Sequence, residues 1–158
     1  MDIRLKRAYE PASAEDGYRV LVDRLWPRGV SKQQAKLDEW EKELAPSSEL
    51  REWFGHEPGR FAEFRRRYTD ELRANAVRLT ELRRRATTGT LTLVYSAHDS
   101  EHNDAVVLAE VLRRGLPRPA RAFAKLQRAG RGVRPRPQQT LVRRPRRATS
   151  NPIAMVPC

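Results

Sequence analysis

Cysteine is almost absent from this chain: the single thiol is Cys158, the last of 158 residues. That excludes an intrachain disulfide, and it leaves no cysteine nucleophile or cysteine-based metal site inside a folded domain. Long apolar runs are missing too. No stretch of 18 apolar residues exists, so no transmembrane helix is expected. The opening Met1-Asp-Ile-Arg-Leu-Lys-Arg7 has no apolar signal core, and a cytoplasmic protein is the expectation. There is no Walker loop, no GxGxxG, no GxSxG and no HExxH. Histidine is scarce, with only His56, His98 and His102. His98, Asp99 and His102 stand close together, but a fourth ligand is missing, so no metal and no cofactor are expected.

Acidic residues are absent from one region only. Residues 115–158 hold 11 Lys and Arg, seven of the 11 prolines and no Asp or Glu. Residues 1–114 carry 21 basic and 20 acidic residues, so +11 of the net charge of +12 belongs to the tail. Such a composition buries too little apolar surface to offset chain entropy of roughly 1–2 kcal/mol per residue. The expected organisation is therefore one α/β domain over 1–115 and an Arg/Pro-rich tail over 116–158. The tail is expected to be disordered and dispensable for folding. An acid-free Arg/Pro run is also what a shifted reading frame in GC-rich DNA produces, so a gene-model artefact fits the same composition. If nucleic acid is bound at all, it is bound through the tail by salt-sensitive phosphate contacts.

What is present in 1–114 is patterned. Residues 2–8 alternate as a half-buried strand. Residues 18–25 contain Val20-Leu-Val22, the continuous apolar run of a strand covered on both faces, and Pro27 and Gly29 stop it. Leu37, Trp40 and Leu44 at helical spacing predict a short helix over 35–44. Ser47 or Ser48 can cap a helix that buries Leu50, Trp53 and Phe54. Phe61, Phe64, Tyr68, Leu72, Leu79 and Leu82 predict one long helix over 60–86. A strand over 91–96 follows, and then a helix capped by Asp99 or Ser100 and ending near Arg114. The fold class is α/β: a small, mainly parallel sheet with helices on its faces.

Open α/β sheets bind ligands beyond the carboxyl ends of their strands. Two strands here run into polar clusters. Strand 18–25 leads into Asp23, Arg24, Trp26 and Arg28, and strand 91–96 leads from Ser96 into Asp99, His102 and Asn103. The two strands are expected to be adjacent and parallel. Arg24 and Arg28 then suit a small anionic ligand, phosphate- or nucleotide-like, that their guanidinium forks can grip. Asp23 orients an arginine, Trp26 offers a stacking face, and Ser96, Asp99 and Asn103 meet polar groups. His102 is the candidate acid/base, with Asp23 or Asp99 as its electrostatic partner, should the protein be an enzyme. Plainer readings stand beside these. Asp23 can simply pair with Arg24 or Arg28, Trp26 can cover the sheet edge, and His102 can be a surface residue. The Arg65–Arg67 and Arg83–Arg85 runs, interleaved with Glu63, Asp70, Glu71 and Glu81, read as a salt-bridged solvent face. An interaction module using an apolar surface at Trp40, Trp53 and Phe54 is a further alternative.

These residues also form an ordered set. Val22-Asp-Arg-Leu-Trp-Pro-Arg-Gly29, Trp40 with Lys42, Ala45-Pro-Ser47, Leu50-Arg51, Trp53-Phe54, Phe64-Arg-Arg-Arg-Tyr68, Tyr95-Ser-Ala97 and His102-Asn103 resemble the YeaO-like proteins of domain-of-unknown-function family 488. The resemblance covers 1–114 and implies a small bacterial protein of uncharacterised activity. Broader members of that family carry a Cys and a Glu after the last strand and a Cys-His-Arg element opening the next helix. Here Ser96 and Glu101-His102-Asn103 stand in those places, so the resemblance implies no thiol chemistry for this chain.

Overall fold

The computed structural model describes residues 1–119. Four parallel strands form one sheet in the order β1-β4-β2-β3: β1 is Asp2–Arg7, β2 Tyr18–Leu21, β3 Glu39–Trp40 and β4 Thr90–Tyr95. β4 is central, with Asp2 to Arg7 opposite Thr90 to Tyr95 on one side and Tyr18 to Leu21 opposite Leu91 to Val94 on the other. This is the small α/β sheet that the apolar runs predict. The tail expected over 116–158 lies almost wholly outside the described residues.

The helices are α1 (Lys32–Ala35), α2 (Ser48–Phe54), α3 (Phe61–Leu72), α4 (Ala76–Thr88) and α5 (Asp104–Arg114). One face of the sheet, with Ile3, Val20, Val22, Leu91, Leu93 and Tyr95, joins a single core with α2 to α5. The other face is smaller: Ala8, Leu21 and Val94 lie under Trp26, Leu37 and Trp40. Within it, Asp16 and Arg19 are buried and ion-paired.

Strand β2 ends sooner than the 18–25 run suggests, and the cause is local. Val22 N still donates to Val94 O. The next ladder donor, Ser96 N, is taken by the Asp23 carboxylate at 2.8 Å. The side chain of Asp23 replaces a backbone acceptor and turns the chain out of the sheet.

Three further expectations are corrected. No helix spans 35–44. Helix α1 stops where Lys36 turns left-handed (φ 43°), and Glu39–Trp40 pair with Val20–Leu21 as an edge strand. The helical spacing of Leu37, Trp40 and Leu44 was fortuitous: Leu37 and Trp40 pack on the small face, while Leu44 enters the main core. The long helix over 60–86 is two helices joined by a 3-10 turn at Arg73–Asn75, where Asn75 Nδ2 donates to Glu43 O. The turn lets α3 pack on α2 and α5 while α4 packs on the sheet. Finally, α5 is capped by Asn103, not by Asp99 or Ser100. His102 and Asn103 therefore precede the helix and do not form its first turn. Among the described residues, no helix is long and apolar enough to cross a membrane.

Candidate functional site

Strands β2 and β4 are adjacent and parallel, so the segments leaving them rise side by side. Their connections then diverge. β2 leads outward to β3, and β4 leads to α5, which packs back against β1 and β4. A crevice opens where they part, as expected at such a switch point. Its volume is about 990 Å³, within the usual range for ligand pockets. It is lined by Asp23, Arg24, Trp26 and Arg28 from the first segment and by Ser96, Asp99 and Asn103 from the second. Seven of the eight residues singled out from the sequence thus face one space. The eighth, His102, is absent from the lining. Its ring stands edge-on to Phe61 at 5.0 Å, and its Nδ1 lies 2.9 Å from Asp99 Oδ2.

The geometry separates committed from uncommitted side chains. Among the described residues Asp23 does not pair with an arginine; its Oδ2 accepts from both the amide and the hydroxyl of Ser96. Burial nonetheless raises the Asp23 carboxyl above its usual range, against the lowering effect of those bonds and of Arg51 and His56. Asp99 is spent on its own turn, with Oδ1 taking Glu101 N at 2.8 Å and His102 N at 3.0 Å. Those amides, together with His102, hold its carboxyl down at about 2. Asn103 caps α5 through Oδ1 (Val106 N, 3.0 Å) and ties Nδ2 to Asp99 O (2.8 Å). Trp26 donates Nε1 to Val30 O and meets Trp40 edge-on at 5.3 Å, so it covers the small face as well as lining the crevice. Among the described residues, Arg24 has one bond, Nε to Pro46 O at 3.3 Å, and neither it nor Arg28 has a carboxylate partner. No group of three His, Cys, Asp or Glu able to hold a metal occurs among them.

Sequence reasoning missed three lining residues that matter. Arg51 comes from α2, His56 follows it in a left-handed conformation (φ 58°), and Asp104 is the first residue of α5. Arg51 stood in the family pattern, but nothing local marked it as facing this space. Asp104 reads as an ordinary acidic first-turn residue. In the fold it meets Asp23: burial first, and then the charge of Asp23, push its carboxyl from 3.8 up to about 7. The two carboxyls titrate as a pair.

That pairing sets a pH dependence. A carboxyl whose pKa is raised on folding binds its proton more tightly in the native state than in the unfolded chain. Its contribution costs nothing below about pH 4 and becomes a penalty as pH rises through 7. Asp104→Asn removes the penalty. One pKa unit is worth ~1.4 kcal/mol, but the crevice is open to solvent, which weakens such terms. We expect ~1–2 kcal/mol of added stability at pH 8 and almost none at pH 4, read from urea unfolding at the two pH values. Equal effects at both would mean that Asp104 is not held in this way.

With this geometry in place, the relatives of the chain are informative. Residues 2–127 match the family model described as the inactive DUF488-N3 subclade. The chain belongs to this family. It is 49% identical over 113 residues to the uncharacterized protein YeaO of Escherichia coli (strain K12), a match covering 72% of this chain and 98% of that protein. It is 44% identical over 110 residues to the uncharacterized protein Rv3073c of Mycobacterium tuberculosis (strain H37Rv), covering 70% and 92%. No solved structure matches. The subclade match takes in the whole described domain, with the crevice, and leaves residues 128–158 outside.

Proposed function

We propose that the crevice between the carboxyl ends of β2 and β4 binds a small anionic ligand, phosphate- or nucleotide-like, and does not turn it over. One observation carries this reading: Arg24, Arg28 and Arg51 all line the crevice, and none of them pairs with a carboxylate among the described residues. Elsewhere on the domain guanidinium groups do find such partners, as Arg66 and Arg67 do on Glu63 and Arg78 does on Glu41. Unspent guanidinium forks in a concave site suit phosphate or carboxylate oxygens. The family description, inactive, favours binding over catalysis. So does the position of His102, which is absent from the lining and bonded to Asp99.

The reading by which Trp40, Trp53 and Phe54 form an exposed docking surface is less well supported, since Phe54 is buried and the two tryptophans are half-buried. Nucleic-acid binding through the tail concerns residues outside those described.

Calorimetric titration with inorganic phosphate and with a nucleoside monophosphate tests the proposal. Arg28 is exposed and has no carboxylate partner among the described residues, so Arg28→Ala should weaken binding about tenfold, or ~1.4 kcal/mol. It should change stability by less than ~1 kcal/mol. Undiminished binding in Arg28→Ala and Arg24→Ala would sink the reading.

A further inference from the structure

Arginine is only half of the crevice's charge. Its lining includes Arg24, Arg28 and Arg51 but also Asp23, Glu52, Asp99 and Asp104. A bare anion would meet as much repulsion as attraction there. The acids are not equivalent. Asp99 is saturated by two amides and His102. Asp23 is bonded only through Oδ2, and Asp104 only through Oδ1, to Ala105 N at 3.0 Å. Among the described residues, each keeps one oxygen without a hydrogen-bond partner. Both carboxyls line the same crevice, and the charge of Asp23 opposes ionisation of Asp104.

Size and shape add to this. About 990 Å³ is far more than phosphate needs and is ample for a nucleotide. Planar surfaces are at hand. Trp26, Tyr9 and His56 are among the lining residues, as are Phe54 and Phe64, which are buried and stack on each other at 4.3 Å.

Resting on the reading above, we propose that the ligand is a guanine nucleotide, with the N–H edge of its base on Asp104 and Asp23 and its phosphate on Arg24 and Arg28. Guanine presents two parallel donors, N1–H and the exocyclic amine, which a carboxylate accepts side by side. Adenine presents an acceptor at N1 and would set a lone pair against the acids. A crevice lined both by uncommitted acceptors and by uncommitted guanidinium groups suits a molecule that carries N–H donors as well as negative charge. A site built to accept those donors rejects an analogue that lacks them, because its polar groups are then left unpaired.

The test is calorimetry on the full chain with GMP, IMP, AMP and inorganic phosphate at pH 8, repeated with Asp104→Asn. GMP should bind at least about tenfold tighter than AMP, with IMP between them because it keeps N1–H and lacks the amine. Asp104→Asn should lower GMP affinity toward that of AMP without weakening phosphate binding, because it removes a negative charge from the lining. Equal affinity for GMP and AMP, or a GMP preference that survives Asp104→Asn, overturns the inference. Phosphate binding that still depends on Arg28 would then leave the anion-site reading standing. No binding of any of the four removes both. The GMP, IMP and AMP series needs no variant, so it remains decisive even if Asp104→Asn folds poorly.

Discussion

Asp16→Ala should cost ~3–5 kcal/mol of unfolding free energy at pH 7, the range for removing one partner of a buried ion pair. Asp16 is 4% exposed and Arg19 3%. The carboxylate takes Lys6 Nζ at 3.0 Å, Ser13 Oγ at 3.0 Å and Ser13 N at 2.9 Å, together with Arg19 Nη1. Burial alone would raise its pKa, but Ser13, Lys6 and Arg19 together hold it far below the usual carboxylate range. Without Asp16, the Arg19 guanidinium keeps only Ala35 O, at 3.1 Å, and its Nη2 already lacks a partner among the described residues. A buried cation without a counter-ion is the costly outcome. The sign of the pH dependence follows from the depressed pKa. Asp16 stabilises above pH 4, and the contribution fades as pH falls below that value. Urea unfolding at pH 7 and pH 3 should therefore show the gap between wild type and variant shrinking in acid. A second change, Arg19→Met, should recover part of the loss in the Asp16→Ala background, because it removes the stranded charge. A loss below ~1 kcal/mol at pH 7 would show that the pair is not buried as described. The network ties β1, the turn before β2 and α1 together, and so holds the strand that delivers Asp23 to the crevice.

The legible parts of this fold were those with dense local signals. Val20-Leu-Val22 and Leu91-Thr-Leu-Val-Tyr95 read as interior strands because both faces of the central strands are covered, which removes the polar alternation of an edge. Placing those two strands side by side was enough to bring Asp23, Arg24, Trp26, Arg28, Ser96, Asp99 and Asn103 to one crevice. The illegible parts had weak or misleading signals. Strand β3 is two residues long and has no period to detect. The three or four residue spacing of Leu37, Trp40 and Leu44 imitated a helix while serving two faces of the sheet. In 60–86 the seven-residue step from Leu72 to Leu79 kept helical phase, so the pattern hid the turn at Arg73–Asn75. Arg51 and Asp104 reach the crevice only because α2 and α5 pack near the ends of β2 and β4. No property of their neighbours in sequence announces that.

Asn103→Ala should cost ~2–3 kcal/mol, because the side chain has two separate jobs and is 2% exposed. As the N-cap of α5 it accepts from Val106 N at 3.0 Å, and losing a cap costs typically ~1 kcal/mol. Its Nδ2 also satisfies Asp99 O at 2.8 Å, and losing that partly buried hydrogen bond costs a further ~1–2 kcal/mol. Asn103→Ser separates the jobs: the hydroxyl keeps the cap but does not reach back as the amide does, so about half of the loss should remain. Amide exchange at Val106 should accelerate in the alanine variant and stay protected in the serine variant. Equal losses in the two variants would place the whole effect on the Asp99 carbonyl and none on the cap. The residue sits between Asp99 and Asp104, both of which line the crevice. Ligand affinity should therefore fall further in Asn103→Ala than in Asn103→Ser, although Asn103 itself, with both ends of its amide bonded, offers little to a ligand directly.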